Sequence, residues 1–331
     1  MMAARVLESE YLRWAKLCSH ARFNLATSGL ANFPLAELPV RLEELELSGP
    51  SFYGYEPLQR ALAARCGVPV ECVVAAVGTS MANHLVMAAL LEPGDELLVE
   101  HPVYDPLVAV ARYLRAEVKW LARRPEDGFR LDPEEVERQI GPRTRLVVLT
   151  NLHNPSNVLT GRETLREVGE IARRAGARVL VDEVYLEALF ERTPPSAFHL
   201  GDPFVVTSSL TKVYGLSGIR CGWILAEPGL AERIWRLVDL FYGIPAHPAE
   251  RLGVVALAHM DRIAARARGI LKPNRRMLND FLRSRDDLEW LEHDHGTIAF
   301  PRLRSGDAGR LVALLRERYE TSVVPGSFFG M

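Results

Sequence analysis

The chain has little lysine. Only four of its 40 basic residues are lysine, and they are Lys16, Lys119, Lys212 and Lys272. Lys212 stands out because it lies in the stretch "SSLTKVYGLSGIRCGW", among serines, a threonine and three glycines, between two apolar runs. A chain that otherwise uses arginine keeps a primary amine at this turn. That choice suggests chemistry that a guanidinium cannot perform, because a guanidinium stays protonated and is a poor nucleophile.

Three further absences exclude classes of protein. The formal net charge of −2 gives no broad electrostatic reason to bind nucleic acid or an anionic membrane. No apolar run approaches the length of a membrane span, and "MMAARVLESEYLRWAK" lacks the apolar core of a signal peptide, so we expect a cytoplasmic protein. The four cysteines show no C-x-x-C pairing and no histidines at metal spacing, which predicts reduced thiols and no metal site.

The middle of the chain alternates short β-branched runs with amphipathic stretches. The seven predicted strands are "CVVAAV", "ELLVE", "EVKWLA", "RLVVLT", "RVLVDE", "FVVTSS" and "CGWILA". Helix-like stretches such as "SMANHLVMAALL" and "RETLREVGEIARRAG" separate most of them. Near-continuous apolar strands alternating with helices are typical of a mostly parallel sheet covered on both faces. We therefore predict an α/β fold with three layers, α/β/α, around a seven-stranded sheet.

The two ends of the chain differ from this middle part. The N-terminal end has a helix-like start and then the loop "NLATSGLANFPL". The C-terminal end has long helical stretches, the strand-like "GTIAFPRL" and the helix-like "DAGRLVALLRERY". We predict a large domain over residues 45–262 and a smaller α+β domain formed from residues 1–44 and 263–331.

Polar residues follow the predicted strands at their carboxyl ends, where open α/β sheets bind ligands. If the strands are assigned correctly, these residues converge on one edge of the sheet. They are Gly78, Thr79, Ser80, Tyr104, Asn151, Asn154, Asp182, Tyr185, Ser209 and Lys212.

Some of these residues predict a phosphate site. Gly78 allows a sharp turn, and the amides of Thr79 and Ser80 would open a helix whose N-terminus favours an anion. Ser209 and Arg220 could add a hydroxyl and a bidentate guanidinium to the same anion. Neither G-x-x-x-x-G-K-[ST] nor G-x-G-x-x-G occurs at a strand-to-helix turn, so this is not a nucleotide loop.

Other residues predict covalent chemistry beside that phosphate. Lys212, with a pKa depressed by burial and nearby cations, could form a Schiff base with an aldehyde. A carboxylate at the Asp182 strand end needs a positive partner, which a protonated pyridine nitrogen would supply. Asn154 and Tyr185 could donate hydrogen bonds to a phenolate oxygen, and Tyr104 could stack on a ring.

Each of these residues alone has an ordinary structural explanation. Gly78, Thr79 and Ser80 could simply begin a helix, and Asp182 could cap one or pair with an arginine. A lone tyrosine such as Tyr104 usually belongs to a core. Their joint order along successive strands favours a shared site.

With these residues in view, the chain resembles the fold-type I pyridoxal-phosphate enzymes of the aspartate aminotransferase family, the class I and II aminotransferases. "SSLTKVYGLSGIRCGW" is similar to the specific signature S-x-x-K-x-x-x-x-x-G-x-R-x-G-W of that family. "VLVDEVY" resembles its D-E-x-Y motif, and "NLHNPSN" resembles its N-P-H-N-P-T-G loop. The segment "GTSMANHLVMAALLEPGDELLVEHPVYDPL" resembles the family's phosphate loop, helix and P-x-Y segment in order and spacing.

The resemblance implies pyridoxal 5′-phosphate (PLP) as the cofactor and a role for each matching residue. Lys212 would carry the Schiff base and move the proton, while Asp182 would keep the pyridine nitrogen protonated. Asn154 and Tyr185 would hold the phenolic oxygen of the ring, with Asn154 also facing substrate, and Tyr104 would stack on the ring. The implied phosphate ligands are Gly78, Thr79, Ser80, Ser209 and Arg220.

The resemblance also implies a homodimer with shared active sites. Tyr53, in "FYGYEPLQRALA", resembles the tyrosine that reaches the phosphate of a neighbouring subunit. Gly29, in "NLATSGL", matches the N-terminal loop that closes over substrate. The implied partners are an α-amino acid and a 2-oxo acid.

Two departures from the family pattern matter. Asn157 replaces the usual glycine of N-P-T-G, and asparagine tolerates the left-handed backbone that this turn needs. The family pattern also continues past "VVPGSFFG" to a strand whose arginine binds the substrate carboxylate, whereas this sequence stops at Met331. Two explanations stay open: a tail missing from the sequence, or a carboxylate held by other groups.

Three functions remain open at this point. The first is transamination between an α-amino acid and a 2-oxo acid through Lys212. The second is a PLP-dependent lyase, such as a β-eliminating C–S lyase, or a cyclase, with the same cofactor contacts. The third is a catalytically silent PLP-binding protein, against which the intact Lys212 and Asp182 argue.

Overall fold

A computed structural model describes residues 8–331 of the chain. Its helices are α1 (Glu10–Leu17), α2 (Glu56–Cys66), α3 (Gly78–Leu90), α4 (Asp105–Tyr113), α5 (Pro133–Gln139), α6 (Arg162–Arg174), α7 (Pro228–Val238), α8 (His247–Ala258), α9 (Met260–Arg283) and α10 (Ala308–Tyr319). Its strands are β1 (Phe23–Asn24), β2 (Val73–Val77), β3 (Glu96–His101), β4 (Glu117–Ala122), β5 (Thr144–Thr150), β6 (Arg178–Asp182), β7 (Phe204–Ser209), β8 (Cys221–Leu225), β9 (Leu288–Glu289), β10 (Arg302–Leu303) and β11 (Thr321–Ser322).

Seven strands form one sheet in the order β2-β8-β7-β6-β5-β3-β4. Strands β3 to β7 pair in parallel, and β8 pairs antiparallel with both of its neighbours. Strand β2 therefore runs in the same direction as β7, and six of the seven strands end at one edge. The mostly parallel seven-stranded sheet predicted from the sequence is confirmed.

The sheet is buried on both faces because its strands are apolar at successive positions. In β5, Val147 and Leu149 belong to one core, which also contains residues of α2, α6, α8 and α9. Leu146 and Val148 belong to the other core, which α3, α4 and α7 cover. The predicted three-layer α/β/α arrangement is confirmed.

Helix α6 shows how the sequence sets this packing. Leu165, Val168 and Ile171 recur at helical spacing and are buried against the sheet, while charged residues occupy the opposite face. Gly169 lies on the buried side, where an added Cβ atom would come within 2.6 Å of the Phe204 ring. The glycine therefore lets the helix approach β7 closely.

The two ends of the chain meet in a separate two-stranded sheet. Strand β1 pairs in parallel with β11, so that Phe23 lies beside Thr321. The prediction that "GTIAFPRL" forms a strand is correct only for Arg302 and Leu303, which pair with β9. The preceding carbonyls of Gly296 and Ile298 accept hydrogen bonds from the Arg275 guanidinium.

Residues 1–7 of the predicted small domain lie outside the described residues. Within residues 8–331, no helix is long and apolar enough to cross a membrane.

Candidate active site

The parallel strands bring the predicted site residues to one edge of the sheet. Gly78 begins α3 directly after β2, and Tyr104 immediately precedes α4 after β3. Asp182 is the last residue of β6, and Ser209 is the last residue of β7. Because these strands point the same way, their carboxyl ends place the side chains around a common cleft.

Asp182 is a buried carboxylate held by neutral donors. The Asn83 side-chain amide donates a 2.7 Å hydrogen bond to Oδ2, and the amide of Val184 donates a 3.0 Å bond to Oδ1. Asn83 is held in turn by Thr207, whose hydroxyl donates to Asn83 Oδ1 over 2.6 Å. Burial raises the pKa of Asp182 to about 6, although both hydrogen bonds and the charge of Lys212 oppose the shift. The carboxylate therefore lacks a close positive partner that would fully stabilise its charge.

Lys212 lies in the turn that follows β7, with its amine pointing toward the N-terminal segment. Its Nζ atom donates a 2.9 Å hydrogen bond to Ser28 Oγ, which also accepts one of 2.9 Å from the Tyr185 hydroxyl. Burial lowers the pKa of Lys212, and Arg220 adds to that effect. Tyr11 and Asp182 act in the opposite direction. A lowered pKa increases the fraction of neutral, nucleophilic amine, as the sequence predicted.

Hydroxyl groups line the predicted phosphate end. Thr79 donates a 2.7 Å hydrogen bond to Ser209 Oγ, and Ser209 shares a 2.6 Å bond with the Thr211 hydroxyl. Gly78 has φ of 73°, and a Cβ atom there would collide with the Arg220 guanidinium. The guanidinium therefore lies against the first turn of α3, where amides and a helix dipole also favour an anion.

The loop that carries Asn154 is anchored by a buried ion pair. Arg123 and Glu100 are fully buried and 2.7 Å apart. Glu100 Oε1 accepts a 2.5 Å hydrogen bond from the Thr150 hydroxyl, whose oxygen accepts a 2.8 Å bond from the amide of Asn154. This chain of contacts fixes the backbone at Asn154. Removing either ion would leave the other charge buried and unpaired.

Asn157 adopts φ of 65°, in the left-handed region that its replacement of glycine requires. Its side-chain amide donates a 2.9 Å hydrogen bond to the carbonyl of His295. The neighbouring Ser156 carbonyl lies 3.1 Å from His293 Nε2. The departure from the family motif therefore links the Asn154 loop to the C-terminal part of the chain.

Aromatic residues close one side of the cleft. The Tyr104 ring contacts the buried Tyr11 ring of α1 edge-on, with centroids 5.5 Å apart. Tyr11 also contacts Phe328 and Phe329 near the C-terminal end. Ser80 joins Asn83 and Tyr104 in lining a cavity of about 320 Å³.

The remaining predicted residues fall in different places. Gly29 lies against Lys212, since a Cβ atom on Gly29 would be 3.6 Å from the Lys212 carbonyl oxygen. Tyr53 does not join this cluster in its own chain. It contacts Trp235, Arg236 and Asp239 on or next to α7.

Sequence reasoning missed Asn83, Thr207, Ser28 and Tyr11. Asn83 had a usable signal, because it lies one helical turn after Thr79 and so on the same face of α3. Thr207 is a polar residue inside an apolar strand. Ser28 and Tyr11 reach the cleft only through the return of the N-terminal segment, which no local pattern indicates.

These residues fit PLP. The buried Asp182 carboxylate suits a protonated ring nitrogen, and the start of α3 with Arg220 suits a phosphate. Lys212, in the turn between β7 and Arg220, supplies the amine. Within residues 8–331, no three His, Cys, Asp or Glu side chains are grouped so that they could hold a metal ion.

Comparisons with known proteins identify the family. Residues 43–331 match the model of aminotransferase class I and II. Capreomycidine synthase of Streptomyces vinaceus is 31% identical, over 94% of this chain and 83% of that protein. The arginine–pyruvate transaminase AruH of Pseudomonas aeruginosa is 30% identical, over 80% of this chain and 68% of that protein. A solved PLP-dependent aminotransferase from Streptococcus suis 89-1591 superimposes with a TM-score of 0.90 at 25% identity, covering 99% of this chain and 91% of that one.

Fold and site together define a PLP-dependent enzyme of fold type I. The chain belongs to the class I and II aminotransferase family. It is a PLP-dependent aminotransferase, and its substrate classes are amino acids and 2-oxo acids.

Proposed function

We propose that Lys212 is the catalytic amine with which this chain transfers an amino group between an α-amino acid and a 2-oxo acid. The observation that carries the proposal is the pair formed by Lys212 and Asp182. Lys212 is a lysine of lowered pKa in the turn that follows β7, and Asp182 is a buried carboxylate at the end of the adjacent β6. When bound, PLP supplies an aldehyde that condenses with amines and a pyridinium ring that withdraws electrons from the substrate Cα.

The residues of the chain would divide the remaining work. Lys212 would hold the cofactor through its amino group and, once released, would move a proton at its Nζ atom. Asp182, oriented by Asn83, would keep the ring nitrogen protonated. Asn154 and Tyr185 would donate hydrogen bonds to the phenolic oxygen, and burial raises the pKa of Tyr185 so that its hydroxyl stays a donor.

The other contacts would bind and orient. Thr79, Ser80, Ser209 and Arg220 would hold the phosphate, with Gly78 giving the guanidinium room to approach. Tyr104 would stack on the ring. The substrate would meet Asn154 and Gly29.

An absorbance experiment tests this assignment. Purified protein is loaded with PLP and its visible spectrum is recorded, with Lys212→Ala and the exposed Lys272→Ala as a matched pair of lysine variants. We expect a band that Lys272→Ala retains and Lys212→Ala loses. A panel of amino acids should then shift the band, and a 2-oxo acid should restore it. A band in Lys212→Ala equal to that of the wild type would overturn the role of Lys212.

A second candidate function is a PLP-dependent lyase or cyclase. The relative of 31% identity is called capreomycidine synthase rather than a transaminase. The cofactor contacts described above would serve either reaction, since the classes differ in how the substrate is oriented. Release of ammonia from an amino acid, with no restoration of the band by a 2-oxo acid, would favour the lyase, and a cyclised product without ammonia release would favour the cyclase.

We also propose a homodimer in which Tyr53 of one subunit reaches the phosphate site of the other. Support comes from exposed apolar side chains beside Tyr53: Phe52, Leu240 and Ile244 are 80%, 79% and 56% exposed. The segments that carry them touch, because Ser51 Oγ and His247 Nδ1 are 2.7 Å apart. Burying this surface in a dimer would stabilise the pair.

Mixing two variants tests the shared site. Lys212→Ala and Tyr53→Ala should each be inactive or weak as pure proteins. A mixed dimer would combine Lys212 of one subunit with Tyr53 of the other and should recover activity at one site. No recovery on mixing, with dimers present, would contradict sharing.

The division of the chain into domains remains a proposal as well. We propose a large domain of residues 45–262 and a smaller one from residues 1–44 and 263–331, supported by the pairing of β1 with β11. The cytoplasmic location is likewise proposed from the sequence alone. Limited proteolysis that cuts first near residues 45 and 262 would support the division.

A further inference from the structure

The hydroxyl of Ser28 makes hydrogen bonds to two groups of the cleft at once. Lys212 Nζ and the Tyr185 hydroxyl each lie 2.9 Å from Ser28 Oγ. Both can donate, and a serine oxygen has two lone pairs to accept them. Ser28 precedes Gly29, so it lies on the N-terminal segment rather than on the strands that carry the other site residues.

The backbone holds Ser28 in this position. The amide of Leu30 donates a 2.9 Å hydrogen bond to the carbonyl of Lys212, and the amide of Phe33 donates a 2.9 Å hydrogen bond to the carbonyl of Gly215. Gly215 has φ of 68°, and a Cβ atom there would collide with the carbonyl of Ala31. These backbone contacts attach the N-terminal segment to the turn that carries Lys212. The contact between Ser28 and Lys212 is therefore one of several between these two segments.

The contact with Ser28 affects the protonation of Lys212. Burial lowers the pKa of Lys212, and the charged or titratable groups that act on it are Tyr11 from α1, Asp182 from β6 and Arg220 after the lysine turn. An oxygen that accepts a hydrogen bond from the ammonium form favours that form and opposes the effect of burial. Tyr185 keeps its proton because burial raises its pKa, so it donates to Ser28 and does not compete as a base.

We propose that Ser28 is a further catalytic residue, whose oxygen contacts the reacting nitrogen of Lys212 and sets the direction and protonation of that nitrogen. The proposal rests on the assignment of Lys212 as the catalytic amine. Ser28 holds the amine whenever Lys212 is free; with PLP bound, the single Tyr185 proton would go to the phenolic oxygen and Ser28 would keep its contact with Lys212. The orientation and protonation of Lys212 Nζ therefore depend on the position of the N-terminal segment that carries Ser28.

The first test uses cofactor-free protein, so that it does not depend on turnover. Trace acetic anhydride labels amines in their neutral form, and mass spectrometry of the peptide containing Lys212 gives its labelling as a function of pH. We expect Ser28→Ala to lower the pH midpoint by about one unit, because the ammonium loses an acceptor. Ser28→Thr retains the hydroxyl and should keep the wild-type midpoint.

Two further variants serve as controls. Thr27→Ala changes the exposed neighbour and should leave the midpoint unchanged. Ser28→Val has the shape of the threonine variant but no acceptor, so it should shift the midpoint in the same direction as alanine, and it replaces alanine if that variant does not fold. Equal midpoints for wild type and a folded Ser28→Ala or Ser28→Val would overturn the proposal.

The second test separates this proposal from the proposed function. Each variant is loaded with PLP, and the pH at which its visible absorbance changes is recorded. A shift with Ser28→Ala but not Ser28→Thr agrees with a contact to the reacting nitrogen. If all variants form the band and show one midpoint in both tests, Ser28 has no such role while Lys212 keeps its own. If wild-type protein forms no band that requires Lys212, the proposed function fails first.

Discussion

Asn83 donates a 2.7 Å hydrogen bond to Asp182, and this contact ties helix α3 to the end of strand β6. The same asparagine accepts a 2.6 Å bond from Thr207 of β7. The Asn83 amide fixes the orientation of the Asp182 carboxylate and leaves the other lone pairs of its oxygens free to accept a hydrogen bond from a ring nitrogen. The neutral character of Asn83 matters, because a cation there would compete with a protonated ring nitrogen.

Replacing Asn83 should weaken PLP binding. Asn83→Ala removes a donor that lowers the pKa of Asp182, so a larger fraction of the carboxyl is protonated near neutral pH. We expect the PLP dissociation constant at pH 7.5 to rise about tenfold, the effect of one lost hydrogen bond to a charged group. Thr207→Val keeps the contact between Asn83 and Asp182 and should change the constant less. Equal constants for Asn83→Ala and wild type would contradict this account of Asp182.

Asp182 should make the cofactor-free protein less stable as pH rises from about 4 to 6. Its pKa is 3.8 in the reference state and about 6 when folded. Between these values the unfolded chain loses its proton while the folded protein keeps it, so the unfolded form is favoured as pH rises. The loss is roughly 3 kcal/mol once pH exceeds 6.

Unfolding of wild type and Asp182→Asn across this pH range measures the effect. The variant should lack this loss, while Glu183, whose pKa burial raises to about 7, contributes in both proteins. PLP should stabilise wild type more at pH 7.5 than at pH 4.5. Parallel stability curves for the two cofactor-free proteins would show that Asp182 does not titrate as described.

Gly78 should be needed for phosphate recognition. Gly78→Ala puts a Cβ atom against the Arg220 guanidinium at a residue with φ of 73°. Gly94→Ala is a matched control, because φ there is 93° and no heavy atom lies within 4 Å of the added Cβ. Each variant should lose about 1–2 kcal/mol of stability from the backbone conformation.

Only Gly78→Ala should also affect the phosphate. We expect its PLP affinity to fall about tenfold to a hundredfold, while affinity for pyridoxal, which has no phosphate, changes little. Equilibrium binding of the two compounds gives the comparison. A similar loss for both compounds would mean that Gly78 acts through folding rather than through Arg220.

The sequence predicted the sheet because its signals are local. Each strand is a short apolar run, and the alternation with amphipathic helices requires parallel strands whose carboxyl ends share an edge. Asp182, Ser209 and Lys212 follow directly from that geometry. Asn157 is similar, because its backbone conformation is set by the turn in which it stands.

The rest of the site depends on contacts between distant parts of the chain. Ser28 meets Lys212 across 184 positions, and Tyr11 of α1 meets Tyr104 from a distant part of the chain. The predicted strand "GTIAFPRL" was wrong over most of its length for a related reason. Its apolar alternation is real, but its carbonyls at Gly296 and Ile298 bind the Arg275 side chain, which lies far from them in sequence.

Asn157 provides a test of how the Asn154 loop is held to the C-terminal part. Asn157→Gly relieves the left-handed backbone but removes the 2.9 Å hydrogen bond to His295, whereas Asn157→Ala removes the bond and keeps the unfavourable φ of 65°. We expect Asn157→Ala to be less stable than Asn157→Gly by about 1–2 kcal/mol. Both should speed hydrogen exchange at residues 293–298, because both lose the contact.

Exposed Arg115, with φ of 63°, gives the control: Arg115→Ala and Arg115→Gly should differ similarly in stability without changing that exchange. Unchanged exchange in both Asn157 variants would mean that the loop and the C-terminal part are held together by other contacts, of which the 3.1 Å approach of His293 to Ser156 is the first to test.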